Sequence, residues 1–377
     1  MSLWNSRSIA DRLLRCLVGL APERMRDWAE AVRAEAATID DDREALHFAA
    51  ETGAGLALTF LWARLVDALA LQHDGAEPRL AAAFAATVAV SIGVAHLYVA
   101  GAPFSMIVVN IASLVIGLAM LAGVTRWHLL FRDIHDPSMV IMASLLVLTS
   151  MFGIASHGAA RWVAVGSLMV QPSLILLPAL LMIYARNTTQ AGVAAIITAA
   201  AAMALQSDRA MAGAMFAVMA VLWIWHRNRQ VAVALAASGT SFLITLARTD
   251  SLPPARFTEG ILISSWQSHP LIGIAVAVGA ATLLLPCAVS WGSRNIALER
   301  GAAFGAIWLA IILAAICGNH PAPLVGYGGS AIIGYLLSAC MLPPKQLLHR
   351  KLPTHPKPVQ ARPTNLARLS PRRTSCA

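Results

Sequence analysis

His157-Gly-Ala-Ala-Arg-Trp-Val-Ala-Val-Gly-Ser-Leu-Met-Val-Gln-Pro-Ser173 joins the apolar run 137–156 to a second that continues to residue 185. Polar groups at the edge of a bilayer are costly unless they have a partner or a task. This stretch gathers Arg161, Trp162, Gln171 and Pro172 in that position. Read plainly, Arg161 snorkels, Trp162 anchors at the interface and Pro172-Ser173 starts a helix. Which reading applies depends on what lies to either side.

Both sides are membrane. The 377-residue chain is 58% apolar and 12% charged, with a mean hydropathy of +0.67. A soluble domain carries about 25% charge. Runs of spanning length recur, and helices satisfy their own backbone in lipid. The alternation of a membrane barrel strand is absent. The expectation is an all-α, polytopic protein with ten spans, at 80–100, 103–124, 137–156, 168–185, 190–206, 209–226, 230–247, 270–290, 301–317 and 322–342.

The charges orient these spans. Arg126, Arg132, Arg186, Arg227, Arg229, Arg294 and Arg300 fall in alternate loops, on the same side as a Pro-rich tail with eight Lys and Arg and no acid. By the positive-inside rule that side is cytoplasmic, with both termini on it. The net charge of +9 then reflects basic loops and anionic lipid rather than nucleic acid. Ten of the 19 acidic residues lie in residues 1–51. Residues 1–76 therefore read as a separate helical cytoplasmic or interfacial region, 77–343 as the membrane domain and 344–377 as a basic, disordered cytoplasmic tail. In the first region Trp28, Val32 and Ala36 share a helical face, and Asp40-Asp41-Asp42 caps a second helix with Glu44 in its first turn. Residues 52–71, interrupted by Arg64 and Asp67, read as an interfacial or packed amphipathic helix rather than a span. The apolar stretch near the N-terminus is too short and too charged for a cleavable signal peptide.

The remaining loops face outward. They hold the opening stretch, then Gln206-Ser-Asp208-Arg209, a long loop from Arg248 to His269, and Asn319-His320-Pro321 leading to Gly326-Tyr-Gly-Gly-Ser330. Asp208, Asp250 and Glu259 lie here with Arg161, Arg209, Arg248 and Arg256. His157, His269 and His320 also lie outward, but neither they nor the five scattered cysteines have metal-ligand spacing.

Four of these segments, in order, carry a resemblance. Gly158-Ala-Ala-Arg-Trp-Val-Ala-Val-Gly166 followed by Gln171-Pro-Ser173 is similar to a signature of the SEDS (shape, elongation, division and sporulation) family of cell-wall polymerases. Gln206-Ser-Asp208 resembles that family's Q-P-D-L-G-T element. Leu252-Pro-Pro-Ala-Arg-Phe-Thr-Glu259 resembles its L-P-x-x-H-T-D, and Tyr327-Gly-Gly-Ser330 its S-Y-G-G-S. The resemblance covers about residues 80–342. It implies a bacterial plasma-membrane protein of cell division or cell shape that polymerises lipid II, or another polyprenyl-diphosphate-linked sugar, at the outer leaflet by inverting glycosyl transfer.

That chemistry needs a carboxylate to deprotonate the acceptor hydroxyl, and positive charge or a divalent cation for the diphosphate. The resemblance makes Glu259 the base, and Arg161, Trp162, Gln171, Asp208, Arg209, Arg256, Tyr327 and Ser330 substrate-binding residues. It implies no covalently bound cofactor and no protein metal site, with Mg²⁺ or Mn²⁺ accompanying the diphosphate. It implies a class B penicillin-binding transpeptidase as partner. The chain also departs from the family. Leu174 and Leu177 replace a charged pair, Ser207 a proline, Gly326 a serine and Phe257 a histidine, and one extra residue precedes Glu259. The alternative is a catalytically impaired relative acting as scaffold, regulator or lipid handler in envelope assembly. The spans are nearly free of charge, which argues against an ion-coupled transporter.

Each assignment has a plainer counterpart. Glu259 can be a loop acid paired with Arg256, and Asp208 a helix cap. Tyr327-Gly-Gly-Ser330 can serve close helix approach.

Overall fold

Alanine and leucine are the commonest residues of the spans, and both favour helix. The computed structural model describes residues 6–21, 25–53, 77–127, 135–156, 159–166, 168–248, 255–291, 295–318 and 320–343. Three helices come first: α1 (Ser6–Leu20), α2 (Arg26–Thr38) and α3 (residues 42–53). The membrane helices follow as α4 (Pro78–Val99), α5 (Phe104–Trp127) and α6 (His135–Phe152). A small sheet of β1 (Ile154–Ser156), β2 (Ala159–Val165) and β3 (Leu168–Val170) interrupts them. Then come α7 (Pro172–Arg186), α8 (Gln190–Gln206), α9 (Arg209–His226), α10 (Arg229–Ala247), α11 (Ile261–Ser268), α12 (Pro270–Thr282), α13 (Leu285–Ser290), α14 (Asn295–Cys317) and α15 (Gly329–Ala339). Five of these helices are long and apolar enough to cross a membrane, and five shorter apolar ones match the other expected spans.

The helix starts are written in the sequence. Pro opens α4, α7 and α12, where its missing N–H costs nothing. Thr189, Asp208 and Asn228 accept N–H bonds from Gly192, Met211 and Val231 at the starts of α8, α9 and α10.

The structure changes four of the expected boundaries. The run 137–156 leaves the helix at Phe152, and the run from 168 enters one only at Pro172. Between them the opening stretch forms strands in the order β1-β2-β3. Arg-Trp-Val-Ala-Val is rich in strand formers, and Gly166, at φ +62°, takes the positive φ of a two-residue hairpin turn between Val165 and Leu168. The run 270–290 breaks at Leu283-Leu284. Pro286 cannot continue the helix, and the Leu283 carbonyl freed there accepts the buried Tyr335 hydroxyl at 3.0 Å. The run 322–342 is helical only from Gly329.

Before α15 the chain enters the bundle as buried, irregular backbone over 322–326. Such backbone survives at membrane depth only when protein groups satisfy it. Ala322 and Tyr327 donate N–H bonds to Thr258 O (2.9 Å) and Phe257 O (2.7 Å). The fully buried Asn110 amide donates to Gly326 O at 2.9 Å and accepts from Gly328 N at 3.1 Å. Gly93 makes room: a Cβ there would lie 2.8 Å from Val325 O.

α15 packs against α4, α5 and α7 in the centre of the main core. Its contact with α7 is backbone on backbone. Pro178 inside α7 leaves the Leu174 carbonyl without its helical donor, and a Cβ at Gly334 would sit 1.9 Å from that oxygen. Leu174 and Leu177 are both buried in this core.

The N-terminal helices form a second apolar cluster around Leu14, Leu17, Ala29, Val32 and Ala36. Trp28 does not share the buried face with Val32 and Ala36; it is 48% exposed, and Ala29 takes that place. Asp41 caps α3, accepting N–H bonds from Arg43 (2.7 Å) and Glu44 (3.0 Å), and these, Glu44 foremost, hold its carboxyl below the ordinary value. The readings of 54–71 and of the basic tail lie outside the described residues.

Candidate functional site

Sheet, helix starts and the irregular segment meet at one end of the bundle. β2 carries Arg161 inward, 4% exposed. Its Nε donates to Gln206 O at 3.1 Å and its Nη2 to Ser207 O at 2.5 Å. The guanidinium thus holds the end of α8, where Ser207 turns left-handed at φ 53° and carbonyls lack helical donors. Trp162 lies on the next position of the strand, opposite Ile154 and half-buried.

Asp208, fully buried, follows directly. Its Oδ2 accepts from the Gln171 amide (3.1 Å) and the Ser173 hydroxyl (2.9 Å), and its Oδ1 from Met211 N (3.3 Å). Gln171 N donates in turn to Ser330 Oγ at 3.0 Å. One network therefore joins the starts of α7, α9 and α15. Arg209, exposed, donates to Arg248 O at 3.0 Å, and Arg248 donates to Ala204 O at 2.8 Å.

Beside this network lies a cavity of about 570 Å³. α10 and α14 each pack along α9 but scarcely on each other, which leaves a groove floored by α9. Ala210 and Gly213 form the floor, Phe242 and Leu246 one wall, and Ala310, Leu313, Ala314 and Cys317 the other. Gly213 leaves space for the Phe242 ring, which a Cβ would meet at 3.1 Å. Arg161, Asp208, Arg209 and His320 close the end. The cavity is thus a slot with apolar sides and a cationic head, a shape suited to a lipid with an anionic headgroup.

Of the residues expected to bind substrate, Arg161, Asp208 and Arg209 line this cavity, and Gln171 and Ser330 support it through the network. Arg256, Tyr327 and Glu259 form a neighbouring patch. Arg256 is exposed, with its guanidinium carbon 4.7 Å from the centre of the Phe257 ring. Glu259 Oε2 accepts Ala255 N at 3.2 Å, and its backbone bridges to Pro321, next to His320. The cavity wall does not include Glu259. Asp250, His157 and Leu252–Pro254 lie outside the described residues.

Three participants were not among the expected site residues: Ser173, Asn110 and His320. Asn110 was findable, since an amide inside a 24-residue apolar helix needs a buried partner. Among the described residues no three His, Cys, Asp or Glu side chains gather as a metal cage, and Asp208, the cavity's carboxylate, already accepts three bonds.

No protein-family model and no curated protein matches the chain. Among solved structures, the rod shape determining protein RodA of Thermus thermophilus has a similar fold. The TM-score is 0.51 at 20% identity, over 72% of this chain and 97% of that one. A structure of an aspartate-to-alanine mutant of the same protein gives 0.52 at 20% identity, over 72% and 98%. The fold is therefore that of a polytopic helical membrane protein of the RodA type.

Proposed function

We propose that the chain is a divergent member of the SEDS family that binds a polyprenyl-diphosphate-linked sugar, lipid II being the type substrate, in the cavity between α10 and α14. The observation that carries this is the cavity's build on a RodA-like fold: apolar walls for a prenyl chain, with Arg161, Arg209 and His320 at the end where a diphosphate would lie. Burial strengthens such charge-assisted bonds.

In the catalytic form of the proposal the protein is an inverting glycosyltransferase of the outer leaflet. Glu259 takes the proton of the acceptor hydroxyl. The acceptor oxygen bonds to the anomeric carbon, the bond to diphosphate breaks, and the arginines hold the departing charge. A divalent ion would enter only with the diphosphate, whose negative charge it would share with the arginines. Both termini are cytoplasmic in this reading, and a class B penicillin-binding protein is the partner that cross-links the product.

A second reading has its own observation. Glu259 is turned onto Ala255 N and lies off the cavity wall, which favours a relative that holds lipid-linked sugar without polymerising it. The test is to supply purified protein with lipid II, Mg²⁺ or Mn²⁺, and a class B penicillin-binding protein. Glycan chains made by the wild type and by Asp250→Asn but not by Glu259→Gln support catalysis with Glu259 as base. Lipid II binding without chains supports the second reading. Absence of lipid II binding by folded protein overturns both.

A further inference from the structure

At the end of the bundle opposite the cavity, three arginines from different helices converge. Arg300 stands near the start of α14, whose other end, at Cys317, borders the cavity. At 1.5 Å per residue Arg300 and Cys317 are about 25 Å apart along the helix. Arg79, in the first turn of α4, is 4% exposed, and its Nε donates to Leu342 O at 2.7 Å. Arg186 is the last residue of α7. Arg79 and Arg300 lie within Coulombic reach of each other, and each of Arg186.

The acids around them fall short. Glu77 stands near Arg79, and Glu299 near Arg300. Glu299 Oε1 is engaged by His226 Nε2 at 2.6 Å. Among the described residues, no ion pair joins any of the three arginines to a carboxylate. The terminal nitrogens of Arg79 make no hydrogen bond there either. Arginine cannot escape by losing its proton. Three guanidiniums, Arg79 buried and the others half-buried, repel one another and lose hydration unless an anion completes the group.

We propose that Arg79, Arg186 and Arg300 form a binding site for the phosphate of an anionic phospholipid from the leaflet on that side. A lipid fits better than a free ion because the site lies at the ends of apolar spanning helices. Headgroups reside at that depth, and basic pockets between helices take them. The excess positive charge suits a phosphodiester with one negative charge. Bound there, the lipid bridges α4, α7 and α14, and through the Arg79–Leu342 bond it steadies the chain beyond α15.

The test uses the full chain in detergent. Phosphatidylglycerol, phosphatidylcholine and inorganic phosphate are added separately, and bound lipid is counted by native mass spectrometry alongside thermal unfolding. The expected result is retention of phosphatidylglycerol over phosphatidylcholine, with a saturable rise in unfolding temperature. In Arg186→Gln/Arg300→Gln the affinity for phosphatidylglycerol falls by at least about tenfold, as lost charge-assisted bonds predict. In Arg372→Gln/Arg373→Gln, which removes the same charge from the tail, it is unchanged. Equal retention of phosphatidylcholine overturns the proposal. So does a full response in the Arg186/Arg300 variant, or its loss in the tail variant. A full response to inorganic phosphate alone overturns the lipid assignment. The competition between lipids in the wild type decides the matter even if a variant does not fold.

Discussion

The seam between α7 and α15 is shut, while the groove between α10 and α14 stands open, although all four helices are apolar and α10, α14 and α15 are rich in small residues. At the seam Pro178 frees a carbonyl, Gly334 lets a second backbone reach it, and the Gln171–Ser173–Asp208–Ser330 network bolts the ends. At the groove Gly213 faces a side chain rather than a backbone, and α14 is held to α9 instead of α10. Small residues by themselves do not decide whether helices close on one another. What decides it is whether a polar group on one side needs something from the other.

The sharpest way to break this comparison is Gly334→Ala. Its methyl meets backbone at 1.9 Å, so whole helices must part, and the loss of stability exceeds about 3 kcal/mol. Thermal unfolding in detergent measures it. A midpoint equal to wild type would mean that the seam is not tight. Next comes Asp208→Ala, which strands the Gln171 amide, the Ser173 hydroxyl and Met211 N–H. The expected cost is about 3 kcal/mol, with Asp208→Asn milder. In the groove, Ala310→Trp should leave stability within about 1 kcal/mol of wild type while weakening lipid II binding at least roughly tenfold. Retained binding would separate the groove from the substrate.

The smallest effect lies in the N-terminal cluster, where Asp11 pairs with Arg33 (2.9 Å) and Arg15 (2.5 Å). The Arg33 hydrogen bond foremost, with Arg15, holds the Asp11 carboxyl below its ordinary 3.8. A lowered folded value means that the pair stabilises above the ordinary value and is lost as pH falls through the folded one. The pair is well exposed, so Asp11→Asn costs no more than about 1 kcal/mol at neutral pH. The difference from wild type vanishes in acid, which a pH series of unfolding curves checks.

Sequence patterning reads the bundle well because spanning length, proline starts and polar caps are local signals. It places Arg161, Gln171 and Asp208 together only through the family pattern. It does not reveal the strands of residues 154–170, because a short Arg-Trp-Val-Ala-Val stretch at the bilayer edge reads equally as an interfacial loop with a Trp anchor. Nor does it reveal that Gly334 meets Leu174 O, or that α10 and α14 stand apart, since both depend on pairings distant in sequence. The positions of Glu259 and His320 on either side of the Glu259–Pro321 bridge are likewise set by loop contacts that no spacing encodes.

The irregular segment before α15 has a consequence for how the protein is made. α15 has 11 helical residues, about 16 Å of helix, half of what a bilayer core of about 30 Å requires. It is therefore a poor candidate for independent insertion during synthesis. α4, α5 and α7 leave the ribosome first and must wait with a vacant slot among them, Gly93 and Asn110 lining one side of it. α15, translated after the helices it joins, is the keystone of the assembly. A chain stalled or cut before residue 320 would keep most of its apolar length yet leave the Asn110 amide without Gly326 O and Gly328 N, stranded in the membrane.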